Sequence, residues 1–260
     1  VAWLGRDVSK TSASMLRKER KDLQIVFQDP LASLDPRMSV GASIAEPLST
    51  FRPDLDSKAR EQAVREAMKR TGLDPALINR YPHELSGGQN QRVGIARAMI
   101  NNPKVVICDE AVSALDVSVQ AQILELLLKL QSDLGLSMLF ISHDLSVVRE
   151  VSHRVMVLYL GRVVELADRD AIYEHPRHPY TRALISAVPV PDPRVERNRE
   201  RVRLIGDLPS PLDSRAQLRF MKSKLVDDPD VEQYRPALNE VAPSHWVAEH
   251  DAETAEIAGA

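Results

Sequence analysis

The run from Lys104 to Ile141 constrains the fold most. Lys104–Cys108 reads as an unbroken apolar strand ending on Asp109 and Glu110, Ser118–Leu134 as a leucine-rich helix that Gly135 closes, and Ser137–Ile141 as a second strand. Strand, helix, strand implies a right-handed parallel unit, since crossovers between parallel strands have that hand almost without exception. An α/β sheet presents ligand-binding groups at the carboxyl ends of its strands, where Asp109 and Glu110 lie. One carboxylate there can hold Mg²⁺ and the next polarise a water; a strand that turns acidic because it has reached solvent is the competing reading of this pair.

Upstream, Val1–Leu4 and Gln24–Phe27 are expected strands flanking a polar helix near Ser14–Lys21. Prolines 30, 36, 47 and 53 are expected to cut residues 29–53 into loops and short helical pieces, after which Ser57 opens the helix Lys58–Arg70, closed by Gly72. Ser86-Gly87-Gly88 reads as an N-cap and turn before a helix over Gln89–Ile100. Beyond Ile141, Arg154–Tyr159 and Val163–Leu166 alternate around Leu160-Gly161-Arg162 as a hairpin, and the α/β core is expected to end near Ala167. Ten of the 17 prolines then fall between Pro176 and Pro243, the mark of an extended accessory region. Arg194 to Arg203 holds five arginines and two glutamates, read as a solvated surface strand, and the acidic last dozen residues read as a frayed tail.

Composition limits the partners. Lys plus Arg is 34 against Asp plus Glu 37, so the strong positive field of a nucleic-acid binder is missing and nucleic acid is not an expected partner. Cys108 is the one cysteine, which excludes an internal disulfide or a cysteine-rich metal site and fits a reducing compartment. No apolar stretch approaches the length of a membrane span; even Ile123–Leu130 is broken by Glu125 and Lys129.

Leu85-Ser86-Gly87-Gly88-Gln89 carries a sharper chemical signal. Two glycines let backbone amides come close to a phosphate, while the helix dipole and the Ser86 hydroxyl favour negative charge. A helix N-cap with a flexible turn is the alternative. About 20 residues on come Asp109-Glu110, then Ser113-Ala114-Leu115-Asp116, and His143 follows the strand Ser137–Ile141, while Gln28 ends the strand Gln24–Phe27.

In this order the sequence resembles the nucleotide-binding subunits of ABC transporters. Phe27-Gln28-Asp29-Pro30 resembles the Q-loop, Leu85–Gln89 the signature, Val105–Glu110 the Walker B strand, Ser113–Asp116 the D-loop and His143 the switch histidine. Residues 27–38 and His178-Pro179-Tyr180-Thr181-Arg182-Ala183-Leu184 resemble the oligopeptide and dipeptide importers, so the resemblance spans residues 1 to about 211. It implies an α/β P-loop NTPase (RecA-like) ABC ATPase core over 1–167, with a helical subdomain at about 35–103, and an importer-type extension over 168–260. It implies ATP and Mg²⁺ as cofactors, with Asp109 and Gln28 at the metal, Glu110 as general base and His143 on the γ-phosphate. Ser86, Gly87, Gly88 and Gln89 would cap the nucleotide bound by a second such subunit, the same or different, with Asp116 at the dimer seam. The other implied partners are integral-membrane permease subunits, docked by the helical insert, and indirectly a periplasmic peptide-binding protein. The implied place is the cytoplasmic face of the inner membrane, as a peripheral protein.

Two departures accompany the resemblance. G-x-x-x-x-G-K-[ST], the phosphate loop expected before the Q-loop, is not found, since none of the 10 glycines precedes a lysine. The chain is therefore expected to lack an amino-terminal part with the Walker A region and to hydrolyse little alone; a non-catalytic paralogue that completes a partner's site is the alternative function. Relatives in this branch often carry several cysteines after the Pro-Ser-Pro segment, and Leu218–Asp230 has none, so the tail is expected without a metal. Asn90 stands where a basic residue or Gln is commoner, a change expected to be tolerated.

Overall fold

The computed structural model describes residues 2–3, 5–189, 192–197, 201–204, 209–210, 213, 216–221, 234–251 and 255–258. These form two compact units, 1–143 and 144–260. Parts of three expectations, the arginine-rich strand at 198–200, the Pro-Ser-Pro segment at 211 and the acidic tail at 252–254 and 259–260, lie outside the described residues; the described parts correct two of them, since Pro193–Arg197 is helical rather than extended and Ala255–Ala258 is a paired strand rather than a frayed end.

In the first unit Ala2–Trp3 (β1) and Arg6–Asp7 (β2) pair antiparallel, so the described part of the expected first strand is one arm of a small hairpin, with Gly5 between the arms at φ 79°; Val1 and Leu4 lie outside the described residues. Ala13–Glu19 (α1) leads to Leu23–Val26 (β3). The expectation for residues 29–53 holds over 29–39, which are turns and loop, and is corrected beyond them: a single helix, Val40–Phe51 (α2), runs through Pro47. Proline removes one backbone donor and strains an isolated helix, but Val40, Ile44 and Leu48 bury one apolar stripe and override that penalty. Ser57–Arg70 (α3), capped by Asp56, and Gly87–Met99 (α4), capped by Ser86, complete this helical layer. Its core joins Val40, Ile44, Val64, Met68, Leu73 and Val93.

The parallel sheet follows the expected order. Val105–Asp109 (β4) lies between β3 and Ser137–Ile141 (β5), with Val26, Cys108 and Phe140 in one register row and Ile25, Ile107 and Leu139 in the next. The first row's face is buried, Val106 and Cys108 at 0%, whereas Ile25, Leu139 and Ile141 are 40–48% exposed. Val117–Leu134 (α5) makes the crossover, starting on Asp116 and ending at Gly135 with φ 61°. This helix buries Ile123, Leu124, Leu127 and Leu130, the spacing its leucines require.

The second unit begins with Leu145–Val151 (α6). Arg154–Tyr159 (β6) and Arg162–Asp168 (β7) form the expected hairpin, its two-residue turn Leu160-Gly161 at positive φ in both positions, as a twisted hairpin demands. Arg169–Glu174 (α7), Pro179–Ala187 (α8), Pro193–Arg197 (α9) and Arg201–Leu204 (β8) follow. The chain then returns: Leu238–Ala242 (β9) and His245–Ala248 (β10) extend the hairpin into a sheet of order β6-β7-β10-β9, and Ala255–Ala258 (β11) pairs with β8.

Candidate functional site

Strand β4 delivers two acidic residues to the carboxyl edge of the sheet, and the backbone then changes hand. Asp109 is the exposed last residue of the strand, opposite Ile141. Glu110 takes φ 47°, a left-handed conformation that costs a residue with a side chain roughly 1–2 kcal/mol. Three bonds hold it there: its N–H donates to the Ile141 carbonyl at 3.0 Å, and its carbonyl accepts the Ser113 N–H at 3.1 Å and the Ser113 hydroxyl at 3.0 Å.

The Glu110 carboxylate gathers two residues that lie far apart in the chain. Gln28 Nε2 donates to Oε2 at 2.7 Å, and His143 Nδ1 meets Oε1 at 3.0 Å. Gln28 is brought in by β3 and His143 by β5, the two neighbours of β4 in the sheet. The hydrogen bond from His143 holds the Glu110 carboxyl below the usual carboxylate range, so it is ionised at neutral pH. His143 itself is open, its side chain 71% exposed against 26% for Glu110, so its ring has room to exchange partners. The loop after Gln28 is anchored too, because Arg97 on α4 donates to the Ser33 carbonyl at 2.7 Å.

The glycine-rich segment stands at the start of a helix, as expected, but the helix begins two residues earlier. Gly87 and Gly88 are its first turn, and Ser86 and Gln89 form a reciprocal cap: the Ser86 hydroxyl accepts the Gln89 N–H at 3.3 Å and Gln89 Oε1 accepts the Ser86 N–H at 2.9 Å. The second glycine is required by packing, since a Cβ at Gly88 would fall 2.6 Å from Val119 Cγ1; one at Gly87 would meet Leu115 Cδ2 at a comfortable 3.8 Å. The start of α4 is thus laid against residues 115–119. Asp116 acts as the N-cap of α5, accepting the Ser118 hydroxyl at 2.6 Å and the Val119 N–H at 3.0 Å, and those bonds lower its pKa.

Of the nine sequence candidates, Gln28, Glu110 and His143 meet directly and Asp109 adjoins them in the chain, while Ser86, Gly87, Gly88, Gln89 and Asp116 occupy two helix starts. Asn90, expected as a tolerated change, has a structural part in this site. It is fully buried, and its Nδ2 donates to the Pro82 carbonyl at 2.9 Å, tying the segment before the signature to the helix after it. Ser113 and Arg97 were missed as supports of Glu110 and the Gln28 loop; nothing local in the sequence marks a side chain that will bond a distant carbonyl.

Comparison with known proteins agrees with this geometry. Residues 1–113 match the ABC transporter family, and residues 164–217 match the oligopeptide/dipeptide transporter C-terminal region. The chain is 53% identical over 238 residues to the oligopeptide transport ATP-binding protein OppF of Salmonella typhimurium, covering 92% of this chain and 71% of that protein. The chain belongs to the ABC transporter family, in its oligopeptide/dipeptide branch. It is also 48% identical to the glutathione import ATP-binding protein GsiA of Pectobacterium atrosepticum, over 96% of this chain and 38% of that one. A solved structure, a dimeric post-hydrolysis state of the ATP-binding cassette MJ0796 bound to ADP and Pi, is 30% identical with a TM-score of 0.58, covering 64% of this chain and 72% of that one. The fold is therefore that of an ABC ATPase cassette. Among the described residues no helix is long and apolar enough to cross a membrane.

Proposed function

We propose that this chain is the ATP-binding and ATP-hydrolysing subunit of a peptide importer, driving di- or oligopeptide uptake through separate membrane subunits. The observation that carries the reading is the convergence of Gln28 and His143 on the two carboxylate oxygens of Glu110 at the edge of a parallel sheet. The family match and the likeness to oligopeptide transport ATP-binding proteins support it.

In this reading Glu110 takes the proton of the attacking water. A carboxylate held low by His143 is a weak base, and general-base efficiency rises as the pKa approaches the operating pH. Transfer of the exposed His143 ring from Glu110 to the γ-phosphate would remove that bond, restoring basicity as the phosphate arrives. Phosphoryl transfer depends mainly on positioning and charge neutralisation, so groups can be shared between chains that close on each other.

Mg²⁺ fits the donors present. It usually keeps several waters and takes one or two carboxylates together with substrate phosphates, which suits the exposed Asp109 carboxylate and the Gln28 amide oxygen; among the described residues no cluster of three acidic, His or Cys side chains forms a cage of its own. The ion would supply neutralisation of phosphate charge. The amides of Gly87 and Gly88, with Ser86 and Gln89, would cap the nucleotide of a second cassette, and Asp116 would lie at the seam. The phosphate cradle, whose sequence pattern residues 1–260 do not contain, is assigned to other residues of the assembled transporter. Residues 1–167 serve as the ATPase part, with the helical layer of about 35–103 docking the permease, and 168–260 as the importer-type extension at the cytoplasmic face of the membrane.

Peptide uptake by vesicles carrying the permease subunits, the peptide-binding protein and this subunit tests the reading. Uptake should require ATP and this subunit, and peptide should stimulate ATP turnover. Turnover indifferent to peptide, or uptake that persists when the subunit is omitted, would refute it.

A further inference from the structure

Glu165 lies in the middle of β7 with 0% of its surface exposed. Removing a carboxylate from water is costly unless charge-assisted hydrogen bonds replace the water it loses. Three donors converge on it. Oε1 accepts the Arg177 N–H at 2.8 Å, Oε2 accepts the His178 N–H at 3.0 Å, and His245 Nε2 stands 2.7 Å from Oε1, its own residue only 5% exposed. The two amides belong to the turn that opens α8, where the helix dipole favours an anion. His245 is the first residue of β10.

The neighbours leave Glu165 as the sole buried carboxylate at this junction among the described residues. His178 caps α8 by accepting the Tyr180 N–H on Nδ1, which makes it a neutral ring, and burial pushes its pKa down to about 3. The ladder that joins β10 to β7 is short, with two register pairs, Trp246 with Leu166 and Val247 with Glu165. β10 is held to the hairpin by burial of Val247 and Ala248, the latter in one core cluster with Val155, Val157 and Val164, by the Arg154 guanidinium over the Trp246 ring at 5.6 Å, and by the Glu165–His245 pair, a buried polar contact.

We propose that Glu165 is a latch: one buried carboxylate that both straps the late strand pair β9–β10 onto the hairpin and fixes the start of α8, so that docking of the strap is a separable conformational step of the second unit. Nothing in the nucleotide chemistry requires this group, and the inference stands whether or not the proposed transport function does.

Hydrogen exchange by mass spectrometry on the intact subunit tests it with two variants. Glu165→Gln keeps the side-chain shape but cannot accept from both amides and the imidazole; exchange should quicken at least tenfold in 238–248 and in 177–180, with β4 and the inner amides of β6 unchanged. His245→Phe removes one arm only, so 238–248 should quicken while 177–180 keeps its wild-type rate. The latch is overturned if Glu165→Gln leaves either segment at its wild-type rate, if it accelerates exchange uniformly across both units, or if His245→Phe frees 177–180 as much as 238–248.

Discussion

Replacing Gly88 with alanine should strain the junction between α4 and α5. The added Cβ falls 2.6 Å from Val119 Cγ1, about 1 Å inside the separation at which carbon atoms attract. Val119 is β-branched and on a helix, where one rotamer is strongly preferred, so the clash is not relieved by turning its side chain; the helices themselves have to shift. Overpacking of this kind costs about 1–3 kcal/mol, and the better helix propensity of alanine returns less than about 1 kcal/mol in a first turn. The net loss is about 1–2 kcal/mol, or about 2–8 °C in melting temperature for a chain of this size. Val119→Ala alone should cost about 1 kcal/mol, since the side chain is half-buried. The double variant then decides the matter in scanning calorimetry. With the methyl gone the clash is gone, and Gly88→Ala/Val119→Ala should be no less stable than Val119→Ala, a coupling of about 1–2 kcal/mol between the sites. Additive losses would refute the reasoning and return Gly88 to the role of a flexible turn.

Two further variants probe other links. Asn90→Ala leaves the Pro82 carbonyl buried without its 2.9 Å donor, and should cost about 1–3 kcal/mol in chemical denaturation with little change elsewhere. His178, neutral when folded with a pKa of about 3 against about 6.5 unfolded, binds fewer protons folded than unfolded between those values. Stability of the second unit is therefore intact above pH 6.5 and falls as pH drops toward 3, by about 2 kcal/mol at pH 5. His178→Asn keeps a cap acceptor without the titrating ring, and should flatten that pH dependence; an unchanged slope in denaturation at pH 5 and pH 7.5 would count against it.

Much of the site could be read from residue order alone. Gln28, Glu110 and His143 each follow a short apolar strand, and three parallel neighbours place the ends of their strands side by side, so proximity follows from topology. The α5 crossover was equally clear, because its leucines keep one face over 18 residues between an Asp cap and a Gly stop. Local signals failed where packing decides. Pro47 reads as a breaker yet sits inside α2, since burial against the helical layer outweighs one missing hydrogen bond. Asn90 reads as a tolerable change at a helix start, and only its placement over the Pro82 carbonyl shows why it is buried. The pairing of β10 with β7 spans about eighty residues of proline-rich sequence, and no periodicity within either strand names the other.

ATP turnover by the assembled transporter with Glu110→Gln tests the central claim most directly. Glutamine keeps the Gln28 and His143 contacts within reach but cannot take a proton, so turnover should fall by about 10²–10⁴-fold while ATP remains bound after the complex is separated from free nucleotide. Turnover near the wild-type rate, or loss of bound ATP together with loss of turnover, would contradict the assignment of Glu110 as the base.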